Sequence, residues 1–225
     1  MHVEIWSDIA CPWCYIGKRR FEAALAGFEG RDDVRVTWRS FELDPGAPAE
    51  RPDDAATHLA RKYGTTQAEA RAMHQRMTDA AAGDGLDFRF DRLRLGNTFD
   101  AHRLVHLASD HGKQDAMKER LMRAYLTEGE LMADRDVLAR LGGEVGLDVD
   151  EVREMLASDR YAAQVRDDEA TADALGISAV PFFVVDRAIG ASGAHPPEVL
   201  REFLSRAWSD QADVPAGAAC DVDGC

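Results

Sequence analysis

Cys11-Pro12-Trp13-Cys14 places two cysteines three positions apart, directly after a short hydrophobic strand and at the start of a helix. A helix N-terminus offers unpaired backbone N–H groups and the positive end of the helix dipole, and both stabilise a thiolate. A second thiol one turn later can attack the mixed disulfide that the first thiol forms. The spacing therefore predicts a motif that makes and breaks disulfide bonds.

The apolar face of the same helix separates the roles of the two sulfurs. Cys14, Phe21 and Phe28 recur with the spacing of a helix packed on a sheet, so Cys14 is predicted to point toward the core as the sheltered resolving thiol. Cys11 lies at the helix cap ahead of Pro12, a residue well suited to the first helical turn. Cys11 is therefore predicted to be the exposed attacking thiol.

A CxxC motif is also half of a common zinc site, which usually adds a second CxxC or a paired His motif. The other cysteines, Cys220 and Cys225, lie more than 200 residues away in a polar segment. A redox pair is the favoured interpretation, with a metal site and a structural cysteine pair as the alternatives. No bound metal is expected.

The length and charge of the chain limit its class. With 225 residues and 45% hydrophobic content, it fits one large globular domain or a domain with an insertion. No apolar run approaches the roughly 20 residues of a membrane span, and residues 1–6 lack the features of a signal peptide. We therefore expect a cytoplasmic protein, in which cysteine pairs are more often catalytic, sensing or metal-binding than structural. The net charge of −14 disfavours nucleic acid and anionic membranes as partners.

The order of predicted elements indicates one composite domain. Strands over 3–7 and 34–38 flank a helix over 12–28, which makes a βαβ unit. After a proline-rich loop, helices are expected over 53–63, 66–82, 98–111, 114–127, 134–144, 149–156 and 160–174. Strand character returns at 180–185 and 188–192, before a last helix to about 207. Because the two sheet halves need each other to bury their faces, the helical block is predicted to be an insertion.

Four segments carry a family resemblance: residues 6–17 around the two cysteines, residues 177–183 with Val180-Pro181-Phe182-Phe183, residues 192–194, and residues 97–103. The first three resemble the DsbA-like thioredoxin superfamily, closest to its cytoplasmic FrnE-type branch, and residues 97–103 also resemble that branch. The resemblance implies an α/β thioredoxin-like fold interrupted by a large all-helical insertion. The implied division is a thioredoxin-like domain of 1–44 plus 176–207, a helical insertion of 45–175 and a flexible C-terminal tail of 208–225.

The resemblance also implies a cis peptide bond between Val180 and Pro181 that faces the two cysteines. A proline there has no N–H, and Val180 can present its backbone groups to a substrate strand. The site residues expected are Cys11 and Cys14 as the catalytic pair, with Pro12, Trp13, Val180 and Pro181 as substrate-binding or supporting residues.

The segment Cys220-Asp221-Val222-Asp223-Gly224-Cys225 carries a second close cysteine pair at an acidic end. The FrnE-type branch can carry such a C-x4-C, which makes these two residues a candidate second redox pair. An incidental mobile pair and a weak metal-binding end are the alternatives.

Several other polar residues are open cases. His102 and His106 lie four residues apart on one predicted helix, as metal ligands can, but no third ligand accompanies them. A solvated helix face is the favoured interpretation of this pair. Asp8, three residues before Cys11, is either a group that transfers a proton or an exposed strand-end carboxylate. His195, in the loop before the last helix, is equally open.

The leading functional interpretation is a DsbA-like enzyme, a thiol–disulfide oxidoreductase or isomerase acting on protein or peptide disulfides. It would exchange electrons with a cellular thiol reductant or oxidant and hold no cofactor tightly. The 2-hydroxychromene-2-carboxylate isomerases and kappa-class glutathione transferases also resemble this chain, but they have a serine where this chain has Cys11 and lack the second cysteine. A glutathione-dependent isomerase or transferase of a small aromatic or polyketide-like molecule is the second interpretation, with glutathione as candidate co-substrate. A non-enzymatic, redox-sensing binding protein is the third.

Overall fold

The computed structural model describes residues 1–212, which form a four-stranded sheet in the order β2-β1-β3-β4. Strands β1 (His2–Ser7) and β2 (Arg35–Ser40) are parallel and enclose helix α1 (Pro12–Ala26). Strand β3 (Phe182–Val185) is antiparallel to β1, and β4 (Ile189–Ser192) is antiparallel to β3. The two predicted sheet halves therefore meet through the pairing of β1 with β3, which confirms the α/β fold with a helical insertion.

Helix α1 is the element that presents the two cysteines. Pro12 occupies its first turn, and its apolar face packs on the sheet, where the rings of Phe21 and Phe183 stack with centroids 5.5 Å apart. The last helix, Pro197–Ala212, packs along α1, and Trp208 meets Phe28 edge to face at 5.8 Å. This helix extends five residues beyond the predicted end, so the expected flexible tail was wrong for residues 208–212. The contact with Phe28 explains why the helix continues.

The helices between the two sheet halves lie close to their predicted bounds. They are α2 Ala55–Tyr63, α3 Gln67–Gly83, α4 Phe99–Asp110, α5 Gln114–Arg123, α6 Arg135–Glu144, α7 Val149–Leu156 and α8 Ala162–Ala174. The last helix, Pro197–Ala212, is α9. The predicted 114–127 helix ends its regular part at Arg123 and continues as a π-helical turn, Ala124–Glu128. A short 3-10 turn, Arg31–Asp33, precedes β2.

The insertion shares its core with the sheet. One continuous apolar cluster includes Val3 and Phe183 of the sheet, Cys14 of α1, and Leu104 and Leu121 of the insertion. Helices α5 and α8 contact β2 directly, whereas α2 and α3 pack mainly on each other. The insertion therefore packs on the sheet through α5 and α8, and the α2–α3 pair lies at the periphery of the insertion. The division at residues 44/45 and 175/176 stays a prediction.

None of the helices within residues 1–212 combines the length and apolarity needed to cross a bilayer.

Candidate active site

Cys11 and Cys14 are free thiols at the start of α1. Cys11 occupies the N-cap position with an extended backbone, and its carbonyl accepts a hydrogen bond from the Cys14 N–H at 3.1 Å. The predicted exposure of Cys11 was wrong, because only 5% of the residue is accessible. The segment before β3 covers it, and the Cys11 Sγ donates to the Val180 carbonyl at 3.7 Å. Cys14 is fully buried, so Cys11 is still the more accessible of the two and lines the adjacent cavity.

The surroundings of Cys14 oppose its ionisation. Burial raises the pKa of the Cys14 thiol well above its usual range, and the adjacent Cys11 sulfur raises it further. The buried ammonium of Lys118 acts in the opposite direction and favours the thiolate. Forming the thiolate of Cys14 in this buried place therefore costs free energy.

The Val180–Pro181 peptide bond is cis, as predicted, and Val180 contacts Cys11 across the site. The Pro181 ring packs against Gly17 of α1 so closely that a Cβ on Gly17 would lie 2.8 Å from the Pro181 Cγ. The Pro181 carbonyl accepts a hydrogen bond from the Gly193 N–H at 2.8 Å. Sequence reasoning missed this close approach.

Asp8 lies at the end of β1 and is buried, so the exposed-carboxylate alternative was wrong. Its carboxylate accepts hydrogen bonds from the Leu43 N–H at 2.8 Å, the Thr98 hydroxyl at 3.0 Å, and the His102 Nε2 and Ala10 N–H at 3.2 Å each. Burial on its own would raise the pKa of Asp8, but these contacts, that with His102 first, hold it below its usual value. Asp8 is therefore a buried carboxylate that is already stabilised as an anion.

The predicted solvated face for His102 and His106 was also wrong. His102 is buried against Asp8, and burial lowers its pKa more than Asp8 raises it. His106 is mostly buried and contacts the Ser40 hydroxyl and the Asp168 carboxylate, each at 3.1 Å. The two rings thus serve separate buried contacts. Among residues 1–212, no group of three or more His, Cys, Asp and Glu side chains is arranged to hold a metal ion.

A cavity of about 570 Å³ opens beside Cys11, between the CxxC motif and the α2–α3 pair. Its mouth carries Trp13, Leu43 and Tyr63, which are among the few large apolar side chains exposed on the described surface, at 43%, 41% and 62%. Apolar side chains from the insertion line much of the opposite wall: Leu59, Met73, Met77, Phe90, Leu93 and Leu95. The cavity falls in the size range that takes a small ligand or part of a larger one.

The same cavity is lined by basic groups. Arg51 pairs with Asp44, whereas Lys62 and Arg76 make no ion pair with any residue of the described chain. In a protein with a net charge of −14, cations that converge on one cavity make it the natural place for an anionic ligand. Sequence reasoning missed these three residues because their convergence depends on how α2 and α3 are placed.

Lys118 is the other functional candidate that the sequence did not reveal. It lies on α5 between Met117 and Leu121 and is 1% exposed. The signal was available, since a lysine on the apolar stripe of a predicted helix stands where an apolar residue is expected.

Other predicted residues lie further from the cysteines or outside the description. His195 is partly buried before α9, and its N–H donates to the Gly193 carbonyl at 3.0 Å. Pro12 and Trp13 both line the cavity, and their role in substrate binding stays a prediction. Cys220 and Cys225 lie outside the described residues, so their predicted redox role stays a prediction.

Comparison with known proteins gives one consistent family. The family model of the DSBA-like thioredoxin domain matches residues 2–205. The crystal structure of a probable DsbA oxidoreductase, SCO1869 from Streptomyces coelicolor, is 46% identical, with a TM-score of 0.92 over 100% of this chain and 98% of that one. The uncharacterized protein YwbO of Bacillus subtilis is 28% identical over 215 residues, which cover 94% of this chain and 97% of YwbO.

A more distant structure shares the fold. The cytosolic disulfide reductase DsbM from Pseudomonas aeruginosa is 18% identical, with a TM-score of 0.66 over 93% of this chain and 99% of that one. DsbM has also been solved with GSH. The family match over residues 2–205 confirms the expected DsbA-like character, whereas the FrnE-type branch stays a prediction.

Proposed function

The chain belongs to the DSBA-like thioredoxin domain family, and from that premise we propose that it is a thiol–disulfide oxidoreductase acting on protein or peptide disulfides through Cys11 and Cys14. The observation that carries the proposal is the placement of two free cysteines at the N-terminus of α1, with Cys11 alone facing an open cavity. Family membership supports oxidoreductase chemistry in general. The nature of the substrate is the part that needs experiment.

The chemistry is the same in both directions. In reduction, the Cys11 thiolate attacks a substrate disulfide, and the resulting mixed disulfide is resolved when Cys14 attacks the Cys11 sulfur. In oxidation, a substrate thiolate attacks Cys11 of the Cys11–Cys14 disulfide, and the sequence runs in reverse. The apolar rim of Trp13, Leu43 and Tyr63 gives a substrate polypeptide a surface on which to dock.

The test is turnover of a model protein disulfide such as insulin by wild type, Cys11→Ser and Cys14→Ser, each with and without glutathione. We expect wild type to reduce insulin and Cys11→Ser to fall to the background rate. We expect Cys14→Ser to accumulate a reducible covalent adduct. Full activity in Cys11→Ser would refute the proposal.

Glutathione as a co-substrate is a second candidate, favoured by the basic lining of the cavity. Glutathione carries two carboxylates, and Lys62 and Arg76 are cations of the cavity without ion-pair partners in the described chain. We expect Arg76→Met to weaken binding of S-methylglutathione, measured by calorimetry. Arg71→Met, which removes the same charge from the same helix outside the cavity, is the matched control. Equal affinities in the two variants would argue against this site.

The expected location and partners complete the proposal. The protein works in the cytoplasm, receives electrons from or passes them to a cellular thiol couple, and contacts neither nucleic acid nor membrane. The acidic net charge supports this proposal, and fractionation of the native host followed by immunoblotting tests the location.

A further inference from the structure

Two lysines of this protein have almost no accessible surface, and their surroundings differ sharply. Lys18 and Lys118 are each 1% exposed. The Lys18 ammonium forms ion pairs with Glu22, with Asp115 at 3.1 Å and with Glu119 at 3.3 Å. The ionic partners of Lys18 together raise its pKa, against the lowering effect of burial. Lys18 is a buried charge that is neutralised several times over.

Lys118 has no such compensation. Its Nζ donates one hydrogen bond, to the Ser7 carbonyl at 3.0 Å, and lies 5.9 Å from the centre of the Trp38 ring. Throughout residues 1–212, no carboxylate is close enough to it to form an ion pair, in contrast to Lys18. A buried cation without a paired anion is strongly destabilising, and an anion that formed beside Lys118 would relieve that cost.

The charged and titratable groups that interact electrostatically with Lys118 come from several elements. Cys14 belongs to α1 and Cys11 is its N-cap, Asp8 follows β1, Asp168 belongs to α8, and His102 belongs to α4. The Lys18 ammonium of α1 lies over the same Trp38 ring, 5.7 Å from its centre. Burial lowers the pKa of Lys118 to about 8, and Cys14 is the group that opposes this lowering most. The ammonium form therefore predominates at neutral pH.

The other two anions near Lys118 already have partners. Asp8 accepts four hydrogen bonds, as described above. Asp168 accepts from the Arg39 guanidinium at 3.0 Å and from the Ser40 N–H at 2.9 Å. His102 is held toward its neutral form by burial and by Lys118 itself. The cysteine sulfurs are thus the anions that still lack a counter-charge when they ionise.

We propose that Lys118 supplies the positive charge that stabilises the Cys14 thiolate at the moment when Cys14 resolves the mixed disulfide. This inference rests on the proposed function. In this step the Cys14 thiol loses its proton, and its sulfur lone pair forms the bond to Cys11 Sγ. The bond between Cys11 and the substrate sulfur breaks, and its electron pair leaves on the substrate, which takes up one proton. Cys11 and Cys14 are oxidised to a disulfide while the substrate disulfide is reduced, so atoms and electrons balance.

Lys118 acts through the cysteine sulfurs and interacts more strongly with Cys14 than with Cys11, so its removal should slow resolution much more than formation of the mixed disulfide. In Lys118→Met, formation of the mixed disulfide at Cys11 should stay within threefold of wild type, whereas its resolution at pH 7 should slow tenfold or more. The deficit should shrink as the pH rises above about 8, because wild type then loses its ammonium and hydroxide deprotonates Cys14 in both proteins. Lys118→Arg keeps the charge and should recover resolution at pH 7.

The experiment is rapid mixing of the full chain with an insulin-derived disulfide peptide, acid quenching and intact mass spectrometry of the mixed disulfide between pH 6 and pH 10. Lys113→Met is the matched control, because Lys113 also donates to a backbone carbonyl, that of Gly146, and lies five residues earlier in the chain. Lys118→Gln is a second neutral variant, and circular dichroism confirms that each variant is folded.

The outcomes separate this inference from the function on which it rests. Slow resolution in both neutral variants, with normal resolution in Lys113→Met, supports the role of Lys118. Resolution at the control rate, or an equal slowing of both steps, overturns it. If wild type itself forms no mixed disulfide, the proposed function fails, whatever the Lys118 variants do.

Discussion

Two buried polar regions lie on the sheet of this protein, and they treat charge in opposite ways. On the central strand β1, Glu4 is 1% exposed and accepts hydrogen bonds from the guanidinium of Arg39 at 2.8 Å and from that of Arg187 at 3.0 Å. Behind the CxxC motif, Cys14 and Lys118 have fewer compensating partners than their burial requires. Under the proposed function, the second region holds the groups whose charge changes during the reaction, whereas the first region takes no part in it.

The comparison gives a criterion for separating structure from function. Ionisable groups with strongly shifted pKa values cluster at functional sites, but structural ion-pair networks shift pKa values as well. The two regions differ in whether neighbouring charges offset the cost of burying each ionisable group. Arginine side chains hold Glu4 below its usual pKa despite its burial, whereas burial prevails for both Cys14 and Lys118.

The largest effects are expected at the cysteines themselves. Cys11→Ser removes the nucleophile that faces the cavity and should lower disulfide reduction to background. Cys14→Ser removes only the resolving thiol, so brief iodoacetamide treatment should still label Cys11. Mass spectrometry of the labelled peptides checks both. In reduced wild type, Cys11 should be labelled before Cys14, and equal labelling from about pH 5 to about pH 9 would contradict the division of roles.

Breaking the compensated region should cost stability and leave thiol chemistry intact. Arg39→Met leaves Glu4 and Asp168 buried with fewer partners, which should lower the free energy of unfolding by about 3–5 kcal/mol. Arg187→Met removes a partner that is 57% exposed and should cost about 1 kcal/mol or less. Urea unfolding measures both variants.

The pH dependence of the Arg39→Met effect follows from the sign of the Glu4 shift. Burial on its own would raise the pKa of Glu4, but Arg187 and Arg39 lower it below the unfolded value. The stability that this carboxylate contributes is therefore present above its unfolded pKa and is lost as the pH falls through its folded pKa. The cost of Arg39→Met should be larger at pH 7 than at pH 3, and an equal cost at both values would remove Glu4 from the explanation.

Gly17→Val tests the packing between α1 and the loop at Pro181. The new side chain begins with a Cβ only 2.8 Å from the Pro181 Cγ, so the loop must shift or the helix must move. We expect a loss of about 1–3 kcal/mol in stability and a lower rate of insulin reduction. Gly83→Ala is the control, because no heavy atom outside its neighbours lies within 4 Å of a Cβ there. The packing argument fails if the two variants unfold at the same denaturant concentration.

Glu42 is a buried carboxylate outside the cysteine pair whose ion pair with Arg166 only partly offsets its burial, so it should make the stability of the protein depend on pH. Burial raises its pKa to about 7, more than Arg166 lowers it. Because the folded pKa lies above the unfolded one, the folded state binds more protons, and stability falls as the pH rises from about 4.5 through about 7. Glu42→Gln should therefore be more stable than wild type at pH 8 by an amount of order 1 kcal/mol. The gain should disappear near pH 4, and a gain of equal size at both values would contradict this origin.

The sequence predicted the elements of this fold better than the state of its polar residues. Periodicity located the helices and strands because apolar spacing reports directly which face is buried. The errors concern Cys11, His102 and His106, which were expected at or near solvent and are covered, and Asp8 was left open although it is buried as well. What covers Cys11 and Asp8 comes from far along the chain, such as Val180 over Cys11 and Thr98 beside Asp8, and local patterns carry no information about such distant neighbours.

The smallest effect is expected from the C-terminal cysteines, which would add a third group of thiols to the comparison. If Cys220 and Cys225 form a redox pair, they can exchange with Cys11–Cys14 and carry electrons between it and the cellular reductant. The truncation should be made after Ala212, since the described part of α9 reaches that residue and Trp208 packs on Phe28. The truncated protein should keep its unfolding midpoint and its Cys11 labelling rate, while reoxidation or reduction by a thiol couple changes a few-fold. The double variant Cys220→Ser/Cys225→Ser, at full length, should reproduce that change, because only the thiols differ. Identical kinetics in all three proteins, with both thiol and enzymatic reductants, would leave the Cys11–Cys14 pair working without the second pair.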